Sequence, residues 1–104
     1  MTTDEKIQQQ LDTNDVIIYM KGTPQFPQCG FSARAVQVLK ATGVEFAYVN
    51  VLENPDIFQQ LPVFADFPTF PQTYIKGELI GGSDILAELL ENGELKQMLD
   101  EIAA

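Results

Sequence analysis

The chain holds one cysteine, Cys29, and no histidine. Any chemistry that needs a thiolate must therefore run through that one sulfur. Cys29 lies in the stretch KGTPQFPQCGFSARAV, from Lys21 to Val36. Gly22, Pro24 and Pro27 make loop chemistry before it, and a helix-like run follows. A lone cysteine is commonly a small buried hydrophobe. Three features of position set this one apart. It sits at a strand-to-helix turn, where ligands gather in α/β sheets. Gly30 follows it, so backbone can approach closely. It also falls at or just before a first helical turn. Unpaired N–H groups and the helix dipole favour a thiolate there, by only about 0.3–1 kcal/mol. Lys21 adds a nearby positive charge if the loop folds back. Such a thiol is a candidate low-pKa nucleophile or metal ligand. Gly81-Gly82-Ser83-Asp84 is the other notable stretch, and by spacing alone it reads as a hairpin exit with a helix cap.

The elements that must position these residues can be read in order. Asp4 to Leu11 predicts a short helix with Ile7 and Leu11 on one face. Asp15 to Met20 is a continuous apolar run, like a strand covered on both faces. After the loop, Phe31, Ala35, Val38 and Leu39 recur at helical spacing between Cys29 and Thr42, and Gly43 ends the run. Glu45 to Val51 alternates like a strand. Asn54-Pro55 opens a helical segment to about Val63. Two proline breaks then precede Thr73 to Ile75, Lys76-Gly77 is a turn, and Leu79-Ile80 returns as a hairpin strand. Ser83 to Leu90 and Glu94 to Ile102 predict two closing helices. A strand–helix–strand unit followed by an antiparallel hairpin predicts an α/β fold, a small mixed sheet between helices.

Composition bounds the function. A chain of 104 residues, 45% hydrophobic, buries roughly 60–65% of its unfolded surface around one core, so one domain over residues 1–104 is expected. One cysteine excludes an internal disulfide framework and fits a reducing compartment. The polar N-terminus offers no apolar h-region, so neither a signal nor a transit peptide is expected; a cytoplasmic location is, with a processed organellar form also allowed. No run approaches the ~20 apolar residues of a membrane span. Six basic against fifteen acidic residues give a net charge of −9. With its few cations scattered, the chain is a poor nucleic-acid binder. The acidity serves solubility or attracts a basic protein partner.

The stretch KGTPQFPQCGFS resembles the signature of the monothiol glutaredoxins of the CGFS class. FPTFPQTYIKGELIGGSDI resembles that family's second block, a Trp-Pro-Thr-x-Pro-Gln segment followed by a hairpin and Gly-Gly-x-Asp. The likeness runs from about Val16 to Leu95. It implies a thioredoxin-like fold, a four-stranded mixed sheet flanked by about five helices. It implies that Cys29 is the active thiol and cluster ligand, with Gly30, Phe31 and Ser32 completing the motif. By the same resemblance Lys21 meets a glutathione carboxylate and Pro71 is the family's cis-proline. The backbone of Phe70 pairs with the cysteinyl part of glutathione, beside Thr69. Gly82, Ser83 and Asp84 hold its γ-glutamyl end.

The chain departs from that pattern at four places. Phe67 stands for a Trp, and Ser83 for a second cysteine that some relatives carry. Phe58 replaces a common Arg and Val63 a common Lys, so weaker glutathione affinity is expected, with Lys21 carrying more of the electrostatics.

Ser32 occupies the position of a resolving cysteine and cannot resolve a disulfide. Removal of glutathione from proteins would then need a second glutathione to regenerate Cys29. A thiolate-held [2Fe–2S] cluster needs four ligands. One chain supplies one, two chains supply two, and glutathione is the natural source of the rest. The resemblance implies the same arrangement, a cluster-bridged homodimer serving apo iron–sulfur recipient proteins, with a BolA-like protein as alternative partner. Three readings thus stand: a [2Fe–2S] carrier with glutathione as co-ligand, a glutathione-dependent thiol–disulfide oxidoreductase, and a redox-inert docking module.

Overall fold

The structure, a computed structural model, describes residues 1–103. Its sheet follows from the apolar run at Val16–Met20, the strand β1, in which every residue is buried. Successive side chains on a strand point to opposite faces. Here Val16, Ile18 and Met20 enter one core cluster while Ile17 and Tyr19 enter another. A strand apolar on both faces belongs at the middle of a sheet covered twice, and β1 is central in the strand order β2-β1-β3-β4. It pairs in parallel with β2 (Ala47–Asn50) and antiparallel with β3 (Gln72–Ile75), which turns back into β4 (Glu78–Gly81).

Helices α1 (Thr3–Thr13) and α3 (Pro55–Ala65) cover one face, burying Ile7, Leu11, Ile57 and Leu61 against Ile17, Tyr19 and Tyr74. Helices α2 (Gly30–Thr42), α4 (Ser83–Glu91) and α5 (Glu94–Ala103) belong to the other, where Ala35, Leu39, Leu86 and Leu95 pack with Ile18 and Met20. Each fully buried Leu or Ile contributes about 1.5–3 kcal/mol. Between these layers the chain leaves β1 through the loop that carries Cys29 into α2.

The helix ends are chemically legible. Thr2 and Glu5 form a capping box at the start of α1. Gly43 closes α2 at φ 76°, a left-handed conformation that suits glycine. Elsewhere the structure adjusts the sequence expectations. Strand β2 begins at Ala47 rather than Glu45, and Val51–Glu53 forms a 3-10 turn, capped by the Asn50 side chain. Helix α3 runs through Pro62 to Ala65 instead of ending near Val63. Pro62 lacks an N–H and forfeits one bond, to the carbonyl of Phe58, but burial of Ile57 and Leu61 on the same helix holds it together.

Candidate functional site

Cys29 is the N-cap of α2, with extended backbone and an uncapped side chain. Its sulfur lies at the unpaired N–H groups of the first turn without accepting a capping hydrogen bond from one. The Ser32 backbone N–H is the largest influence lowering the thiol's pKa below its ordinary value. The Phe31 N–H, the charge of Lys21 and the Ser32 hydroxyl act in the same direction, against partial burial, which pushes the other way. Cys29 is half-buried and free, with its thiolate form favoured over that of an ordinary cysteine.

The loop that brings Lys21 to the sulfur is tightly tied. The Gln28 N–H donates to the Lys21 carbonyl at 2.9 Å, and Thr23 and Phe26 exchange backbone bonds inside the turn. Gly22 has φ 95°, and a Cβ there would stand 2.6 Å from both the Gln28 nitrogen and the Phe26 oxygen. Only glycine fits. Its N–H donates to Asn50 Oδ1 at 2.9 Å, which fastens the loop to the end of β2. The Ser32 Oγ accepts from the Lys21 N–H at 3.1 Å. Ser32 is fully buried, so this position braces the loop from within and presents nothing to solvent.

The second wall is the segment between α3 and β3. The Phe70–Pro71 bond is cis. Gln72 is fully buried, and its amide donates to the carbonyls of Phe67 at 2.9 Å and Thr69 at 3.3 Å. The Tyr74 hydroxyl donates to Gln72 Oε1 at 2.8 Å. Burial pushes the Tyr74 phenol up to about 12, so it stays a donor across the ordinary pH range. This side-chain chain holds the loop's backbone in place.

Between these walls lies a groove of about 750 Å³. Lys21, Cys29, Phe31, Thr69, Phe70 and Pro71 line it, and so do Gly82, Ser83 and Asp84. Nine of the eleven residues singled out by sequence thus meet around one cleft. Gly30 and Ser32 are the other two, the first residue of α2 and its buried brace. The cleft is more aromatic than its motifs suggest. Phe58 tilts against Phe70 with ring centroids 5.4 Å apart, and the Lys21 ammonium stands 5.8 Å from the Phe58 centroid. Phe67, Pro68, Pro62 and Ile85 complete the apolar lining.

Two functional contributions escaped the sequence reading. Arg34 on α2 pairs with Asp84 at the start of α4, at 2.8 Å across 50 positions of chain. Asn50 fastens the active loop from 28 positions away. No local pattern announces a partner so remote. Gln72 could have been found, because a glutamine entering a strand otherwise bound for the core needs internal hydrogen-bond partners. Among the described residues no three Cys, Asp or Glu side chains gather where they could hold a metal ion. No described helix is long and apolar enough to cross a membrane.

Comparison with known proteins bears on the family and the fold. The family model described as Glutaredoxin matches residues 16–80. A Legionella pneumophila protein named probable monothiol glutaredoxin GrlA is 67% identical over 89 residues, covering 85% of this chain and all of that protein. Glutaredoxin 4 of Escherichia coli is 55% identical over 103 residues, 99% of this chain and 90% of that one. The solution structure of reduced poplar apo GrxS14 superposes with a TM-score of 0.81 at 42% identity, over 93% of this chain and 89% of that chain.

Proposed function

This chain belongs to the glutaredoxin family, as a monothiol member with a thioredoxin-like fold, and from that premise we propose that it carries a [2Fe–2S] cluster between two copies of itself, with glutathione as co-ligand. The cluster is cargo, delivered to apo iron–sulfur proteins. The observation behind this is the donor count at the groove. One thiol, its pKa lowered, faces a cleft large enough for a tripeptide, and the chain holds no second cysteine and no histidine. Four thiolate ligands then require a second copy and two molecules of an outside thiol. Lys21 and the α2 N-terminus stabilise the Cys29 sulfur as an anion, the form a metal takes. Thr69, Phe70 and Pro71 form one side for the tripeptide, and Gly82, Ser83 and Asp84 the other. Ligands that are not protein dissociate readily, which suits a carrier.

A second reading rests on the same lowered thiol. The Cys29 thiolate attacks the glutathione sulfur of a glutathionylated protein, expelling the protein thiolate and forming a Cys29–glutathione disulfide. A second glutathione thiolate attacks that disulfide, releasing Cys29 and glutathione disulfide. With Ser32 buried and lacking a thiol, no internal step competes.

Anaerobic reconstitution with iron and sulfide, with and without glutathione, tests the choice. The carrier reading expects a coloured product from wild type only when glutathione is present, and none from Cys29→Ser. Colour without glutathione contradicts it. Turnover of a glutathionylated substrate with no cluster formed under any condition favours the second reading.

A further inference from the structure

We propose that the groove selects small thiols whose end beyond the cysteinyl residue bears no free carboxylate, an amide or an ester, and that Phe58 sets this preference. The inference rests on the groove being a glutathione site and specifies which class of glutathione-like thiol fits it best.

A tripeptide thiol with its cysteinyl residue beside Cys29 sends one end towards the start of α4 and the other towards α3. At the α3 end it meets Phe58, Pro62 and the aliphatic stem and ammonium of Lys21. A carboxylate leaving water for such a surface needs a cation or several donors. The chain has six basic residues. Three are paired with carboxylates and do not line the groove: Lys6 with Asp56 at 2.6 Å, Arg34 with Asp84 at 2.8 Å and Lys76 with Asp15 at 3.0 Å. Lys40 lies in the last turn of α2 and Lys96 on α5, and neither lines the groove. Lys21 is the one cation left, and its charge is shared between the Cys29 sulfur and the Phe58 ring 5.8 Å away.

The α3 wall itself carries no donor where that end would rest. Phe58 keeps 38% of its surface exposed, packed against Phe70, and Pro62 one turn on is the other groove-lining residue of α3. An uncharged amide or ester packs on these rings without giving up the hydration of a full charge. It also avoids adding an anion to a chain of net charge −9.

The test compares glutathione with its C-terminal glycinamide form. Each is titrated into reduced wild-type protein, following the backbone amide resonances of Phe70 and Gly82. Wild type is expected to bind the amide at least as tightly as the free acid. In Phe58→Arg the acid should gain roughly tenfold or more relative to the amide, the size of one charge-assisted hydrogen bond. Tighter binding of the acid by wild type overturns the inference, as does a ratio unmoved by Phe58→Arg. Binding of neither thiol to wild type overturns the glutathione reading along with it. The wild-type comparison stands by itself should the variant fold poorly, and Phe58→Leu, which keeps the wall apolar, should retain the preference.

Discussion

At the scale of residues the protein's chemistry is a contest over one proton. The thiol of Cys29 is held below its ordinary value chiefly by the Ser32 N–H, then by the Phe31 N–H and Lys21. The sign for reactivity follows directly. A lowered value means a larger thiolate fraction, at any pH below the ordinary thiol value, than the same cysteine would have without these neighbours. The pH profile of iodoacetamide labelling should have its midpoint below that of a free thiol. Lys21→Ala should move the midpoint upward, but only in part, since the backbone donors remain. A midpoint at or above the free-thiol value would contradict the site as described. The sequence disclosed Cys29 and the turn that presents it. It did not disclose which group matters most, because that is a backbone N–H whose direction depends on where α2 starts. The loss of cations at Phe58 and Val63 was legible from type alone. That Phe58 would lean on Phe70 and sit beneath Lys21 was not, because those contacts join three elements.

At the scale of elements the site is two loops held from behind. Gln72 serves the loop before β3, binding two of its carbonyls and receiving the Tyr74 hydroxyl. Gln72→Ala leaves the buried Tyr74 hydroxyl without its acceptor and two part-buried carbonyls without their donor. It should lower unfolding free energy by about 2–5 kcal/mol in a denaturant titration, and weaken thiol binding further in whatever fraction remains folded. Loss under 1 kcal/mol would mean that the loop holds itself. Asn50 serves the other loop, accepting from Gly22 and Leu52. Asn50→Ala should cost about 1–3 kcal/mol and speed hydrogen exchange at Gly22, leaving exchange in the β1 interior unchanged. The helices and strands were readable because their patterns are local: a run buried on both faces, helical spacing from Phe31, a Lys76-Gly77 turn. The 3-10 turn after β2 and the extension of α3 beyond Val63 to Ala65 were not. Tertiary burial of Val51, Ile57 and Leu61 decides both, overriding the local breaker.

At the scale of the molecule the governing quantity is charge. Fifteen acidic against six basic residues make two copies repel, and a cluster with two glutathiones adds more negative charge. Moderate inert salt should therefore raise the fraction of cluster-bridged dimer, by screening over about 10 Å at 0.1 M. A steady fall in dimer with added salt, seen by analytical ultracentrifugation of the reconstituted protein, would place the dominant contacts in opposite-charge pairs instead. The mixed sheet with helices on both faces was legible from the order of elements. How few donors the finished groove would offer was legible from the absence of histidine and of a second cysteine.

The central claim is one of stoichiometry, and the most direct measurement is the native mass of the reconstituted product, taken without oxygen. The account predicts two chains, two irons, two sulfides and two glutathiones in a single species, absent for Cys29→Ser. A cluster riding on one chain, or a bridged pair whose mass leaves no room for glutathione, would contradict it.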